Sequence, residues 1–231
     1  KKNQLLAWFD NYWYHYKWRT IMIGFFAVVL LVCTIQMLQK KSYDAYILYA
    51  GPNAFTAEQE NALGNALKYV VGDFDENGKT TVNMTKLIVM SEQELEQAQA
   101  QASEEGTTLA YNYETRQKTL EQFNLELMTG NSYLCFMSRY MYEKCADSGR
   151  FVPLSDLVAD PPAGKNDEYS VVLGKTEYGQ YFSEAFSCMG EEILVCLRRP
   201  NVVEQYGKKA LEEYRRYEQI MVDILNFTVQ K

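Results

Sequence analysis

Residues 21–38, IMIGFFAVVLLVCTIQML, carry no charged side chain over 18 positions. No other stretch of the chain is so restrictive. A soluble core helix alternates apolar and polar faces, whereas this run is apolar all round. At about 1.5 Å per residue it just crosses a hydrocarbon layer of roughly 30 Å. Lys17 and Arg19 precede it, and Lys40 and Lys41 follow. Trp8, Trp13, Tyr14, Tyr16 and Trp18 crowd its amino side, as an interfacial aromatic belt would. The expectation is one transmembrane helix at 21–38, a basic aromatic tail at 1–20 and a single domain at 42–231.

Charge sets the orientation expected. The first 41 residues hold six basic side chains against one acid, which leaves 17 basic and 29 acidic residues beyond them, a net of −12. The short basic tail is expected in the cytoplasm. The acidic domain is then extracellular, at the cell membrane. Such a domain repels nucleic acid, so the partners expected are the membrane itself and a protein or glycan. A rival reading is a cleaved lipoprotein signal ending at Cys33, but Val32 stands where a small residue is wanted. Cys135, Cys145, Cys188 and Cys196 lie in the domain, where three disulfide pairings or buried free thiols are open.

Beyond the anchor, strand and helix patterns alternate. Residues 43–50 read as a strand closed by Gly51-Pro52. Thr56 with Gln59 is a capping box opening a helix to about residue 71. Residues 82–90 read as a strand, and Ser91 with Glu94 as a second capping box. A helix at 115–128 is followed by Gly130, a candidate terminator. Strands follow at 133–137, 170–173 and 192–197, the linker ADPPAGKNDE occupies 159–168, and a helix runs from about 202 to 227 with Leu211, Tyr214, Met221 and Leu225 as its apolar stripe. The alternation predicts an α/β fold with a mainly parallel sheet.

The sharpest local motif is GDFDENGK at 72–79. Asp73, Asp75 and Asn77 at alternate positions turn three oxygens inward, Gly78 allows the sharp turn, and the Lys79 carbonyl is a fourth ligand. A hard cation such as calcium takes six to eight oxygens. The spacing resembles the first half of an EF-hand loop. Its twelfth position is Met84 rather than Glu, so a complete EF-hand is excluded and a further carboxylate must come from elsewhere, with Glu76, Glu92, Glu94 and Glu96 as candidates. The competing reading is an acidic turn whose Asp and Asn side chains bind their own backbone. The cofactor expected is calcium.

Catalysis has no motif. The single histidine, His15, lies in the tail, so the domain cannot assemble a Ser-His-Asp or Cys-His site. The expectation is no enzyme. Tyr111, Tyr113, Tyr140, Tyr142, Tyr178 and Tyr181 are the aromatic candidates for stacking on a sugar or anchoring a protein.

TLEQFNLELMTG at 119–130, SYLCFM at 132–137 and YEKCADSGRFVPLSDL at 142–157 together resemble the first lobe of extracellular solute-binding proteins of ABC transporters. The resemblance implies a single periplasmic-binding-protein-like lobe, because the chain is too short for a second. The leading expectation is a membrane-anchored binding module without catalytic activity. The alternative is a reduced solute-binding subunit working with an ABC-type permease.

Overall fold

The structure is a computed structural model that describes residues 2–38, 43–160, 162–190, 192–202 and 204–229. The chain divides into two units, residues 1–42 and 43–231. The first is one helix, α1, Lys2–Leu38. The described residues of the basic tail belong to this same helix. Trp8, Tyr12 and Tyr16 stack along it at i, i+4 spacing, with ring centroids 5.6 and 5.4 Å apart. Its stretch Tyr12–Gln36 is long and apolar enough to span a membrane or serve as a signal anchor.

The second unit is mixed α/β. Its elements are β1 (Ala45–Gly51), α2 (Ala57–Leu67), β2 (Val82–Ile88), α3 (Glu92–Glu104), α4 (Tyr113–Thr129), β3 (Leu134–Ser138), α5 (Arg139–Glu143), β4 (Ser170–Val172), α6 (Glu177–Tyr181), α7 (Ser183–Phe186), β5 (Ile193–Leu197) and α8 (Lys208–Leu225). Both predicted capping boxes are present, at Thr56–Gln59 and Ser91–Glu94. The sheet order is β2-β1-β3-β5-β4. β1 is parallel to β2 and β3, but β5 is antiparallel to both β3 and β4. The sheet is therefore mixed rather than mainly parallel. A parallel crossover needs a helix long enough to return along the sheet. The longest helices described between β4 and β5 are α6, five residues, and α7, four, so β5 starts at the end where β4 finished.

Strand pleating divides the core. Ile47, Leu134, Phe136, Val195 and Leu197 face α2 and α8. Leu48, Cys135, Met137, Leu194 and Cys196 face the opposite layer with Phe123 and Leu127 of α4. Cys135 and Cys196 are cross-strand partners, and all five cysteines are free thiols.

Gly130 terminates α4 as expected, capping it in an extended conformation. Its missing Cβ is required because one would lie 2.5 Å from the Glu126 carbonyl oxygen. The last helix begins only at Lys208. Its buried stripe is Tyr214, Tyr217, Ile220, Met221 and Ile224, while Leu211 and Leu225 are half-buried at its margin.

Candidate functional site

Three surfaces of the α/β unit carry chemistry: the acidic loop, the crevice at the carboxyl ends of the strands, and an aromatic patch.

The acidic loop leads from α2 into β2. Its tightness comes from two left-handed residues, Glu76 (φ 55°) and Gly78 (φ 81°). Asp73 accepts from the N–H groups of Asn77 at 3.1 Å and Gly78 at 2.7 Å. Asp75 accepts from Asn77 N–H at 3.2 Å, and Asn77 Oδ1 accepts from Lys79 N–H at 2.9 Å. The turn is thus closed by its own side chains, as the competing reading expected.

The carboxylate brought to Asp73 and Asp75 is Asp44, not Glu76 or any of Glu92, Glu94 and Glu96. One oxygen from each of the three lies within 4.8 Å of the others. Calcium ligands 2.3–2.6 Å from the ion span such separations. Asp44 is buried, with 7% of its surface exposed, and sits just ahead of β1. Its Oδ1 accepts from Phe74 N–H at 2.8 Å and Asp75 N–H at 3.3 Å. Its Oδ2 accepts from the N–H and hydroxyl of Thr81 at 2.7 and 2.9 Å. Burial alone would raise its pKa, but these four donors outweigh it and hold the carboxyl below the usual range. Four donors also fill the lone pairs of one carboxylate. Asp44 is therefore the clasp that ties the loop to the sheet, and Asp73 and Asp75 keep the free acceptor capacity. Its only sequence signal was a lone acid at the head of an apolar run.

The carboxyl ends of β1 and β3 flank the point where successive connections leave in opposite directions, the usual place for a ligand in an open α/β sheet. A crevice of about 270 Å³ lies there, lined by Pro52, Ser91, Glu94, Ser138, Arg139 and Glu192 among others. Its polar groups already have protein partners. Arg139 Nε meets Glu192 at 2.7 Å, which raises the Arg139 pKa and lowers that of Glu192. Glu94 accepts from Ser91 N–H at 2.6 Å, and Ser138 Oγ from Met141 N–H at 3.4 Å. The volume falls just below the range of about 300–1,000 Å³ typical of solute pockets.

The six candidate tyrosines scatter. Tyr142 and Tyr178 are buried, donating to Asp167 and to the Ala66 carbonyl, each at 2.9 Å. Tyr111 and Tyr140 are half-buried beside Arg116. Tyr113 and Tyr181 are exposed. Tyr181 belongs to a continuous patch that also holds Tyr69, Phe182 and Phe227. Phe182 lies 4.8 Å from Tyr69 and 4.7 Å from Tyr181, and Phe227 lies 5.6 Å from Tyr181. Tyr69 is 69% and Tyr181 52% exposed. Sequence spacing hid the patch because its rings come from the turn after α2, from α6 and from the segment after α8.

No protein-family model, curated protein or solved structure matches this chain.

Proposed function

We propose that the chain is a single-pass, membrane-anchored binding module without catalytic activity. Its N-terminus is cytoplasmic, and its α/β domain stands outside the cell membrane and binds a protein partner through Tyr69, Tyr181, Phe182 and Phe227. The observation that carries this reading is the aromatic patch. Exposed tyrosine clusters are typical anchors of protein interfaces. The rings meet at 56°, 86° and 48°, so they form a corrugated surface rather than a flat shelf. A corrugated surface suits interdigitating side chains better than the face of a sugar ring. The acidic domain favours a neutral or basic partner surface.

The solute-binding alternative rests on the resemblance at 119–157 and on the crevice by position alone. The small volume and already partnered polar groups of the crevice favour it less. Calcium at Asp73 and Asp75, with Asn77 and the Lys79 carbonyl, belongs to the main reading as a structural ion that stiffens the loop.

A photoreactive residue replacing Tyr181 in the full chain, irradiated in its native membrane, tests the patch. The expected result is one adduct of discrete mass, lost with Tyr69→Ser and absent when the probe replaces Lys118 on the opposite layer. No adduct at 181, or the same adduct at both positions, contradicts the reading.

A further inference from the structure

Arg150 and Arg199 face one another across a short antiparallel contact. Phe151 and Arg198 are bridge partners, Val152 N–H donates to the Leu197 carbonyl at 2.9 Å, and Arg199 N–H to the Arg150 carbonyl at 2.6 Å. This register makes Arg150 and Arg199 the next cross-strand pair, with Cβ atoms about 5 Å apart. Like charges placed so are destabilising unless something neutralises them.

Arg198 behind them is already satisfied. Its guanidinium donates to the carbonyls of Ser132 at 3.2 Å and Gly130 at 2.7 Å, lies 3.6 Å from Glu204 and stacks 4.5 Å from the centre of the Tyr133 ring. Among the described residues, the Arg199 guanidinium makes one hydrogen bond, from Nε to the Phe151 carbonyl at 2.8 Å. Among the described residues, no carboxylate forms an ion pair with Arg150 or Arg199. The three arginines line one cavity of about 410 Å³, with Met128 and Val202 also on its wall. Their positive charge stands out in a domain of net charge −12. The acidic loop is tied to Asp44 at the head of β1, which β3 separates from β5.

We propose that this cleft binds a phosphate-class oxyanion between the guanidinium groups of Arg150 and Arg199. Guanidinium forks match phosphate oxygens in pairs. The anion relieves the repulsion between the two arginines, while Arg198, held by its carbonyls, keeps the cleft floor in place. The group arrives either as free phosphate or a soluble phosphate ester, or as the phosphoryl headgroup of a lipid. Val202 and Met128, 70% and 53% exposed, give the rim an apolar edge suited to the second source.

The test uses the full chain in neutral detergent micelles. Its thermal midpoint is followed with millimolar inorganic phosphate at constant ionic strength, and separately in micelles doped with phosphatidylglycerol against phosphatidylcholine. A rise of several degrees is expected in at least one arm. It disappears in Arg150→Gln and Arg199→Gln, and Arg199→Lys restores it in part. A rise with phosphate identifies a soluble ligand, and a rise with phosphatidylglycerol alone identifies the headgroup. No rise in either arm, or an equal rise in the two Gln variants, overturns the proposal.

Discussion

The apolar residues of α1 and those of the central strands are the same types in opposite surroundings. Ile23, Phe25 and Leu30 are 70, 61 and 67% exposed, whereas Leu134, Phe136 and Val195 are fully buried. The difference lies in pattern. The strands are five to seven residues long, and pleating sends alternate side chains to two layers that the helices of the same unit cover. α1 is apolar around its whole circumference for 18 residues, with no polar face of its own. A run of this length and apolarity suits a membrane span or a signal anchor.

Substitutions sharpen the contrast, starting with the largest effect. Phe136→Ala empties a fully buried site and is expected to destabilise the domain by about 3–5 kcal/mol. Leu30→Ala in α1 leaves the domain's unfolding transition unchanged. Thermal and denaturant melts of the full chain in neutral detergent read both, and a comparable loss from Leu30→Ala would show that α1 contributes to the domain's core.

The loop clasp comes next. Asp44→Ala strands the N–H groups of Phe74, Asp75 and Thr81, with an expected loss of about 2–3 kcal/mol at neutral pH. The carboxyl pKa of Asp44 is lowered on folding. Its contribution is therefore complete above the unfolded carboxylate pKa of about 3.9 and is lost as pH falls through the lower folded value. The gap between wild type and Asp44→Asn should narrow steadily below about pH 4, and a gap that persists at lower pH would show that ionisation of Asp44 is not what holds the loop. The smallest effect belongs to the ion: millimolar calcium against chelator should raise the midpoint by about 2–4 °C in wild type and not in Asp75→Ala. Equal midpoints in wild type would reduce the loop to a self-closed turn.

Local signals in the sequence translated well into structure. Thr56 with Gln59 and Ser91 with Glu94 satisfy reciprocal hydrogen bonds within four residues, so both capping boxes were legible. The apolar runs at β1, β3 and β5 were legible for the same reason. Strand direction was not, because it depends on how far each connection travels. Helices as short as α6 and α7 cannot carry the chain back along the sheet, so β5 runs backwards. The candidate sites were legible only where their residues are neighbours in sequence. Asp73, Asp75 and Asn77 were visible, whereas Asp44, about 30 residues earlier, and the pairing of Arg150 with Arg199 needed the register of the folded chain.

Alkaline carbonate extraction of membranes, with protease added to intact cells, tests most directly the proposed domain tethered outside the cell by one membrane-spanning helix. The full chain is expected to stay in the membrane pellet, and external protease is expected to remove the domain while leaving the tail. A chain released into the supernatant, or a domain protected in intact cells and cleaved only after lysis, would contradict it.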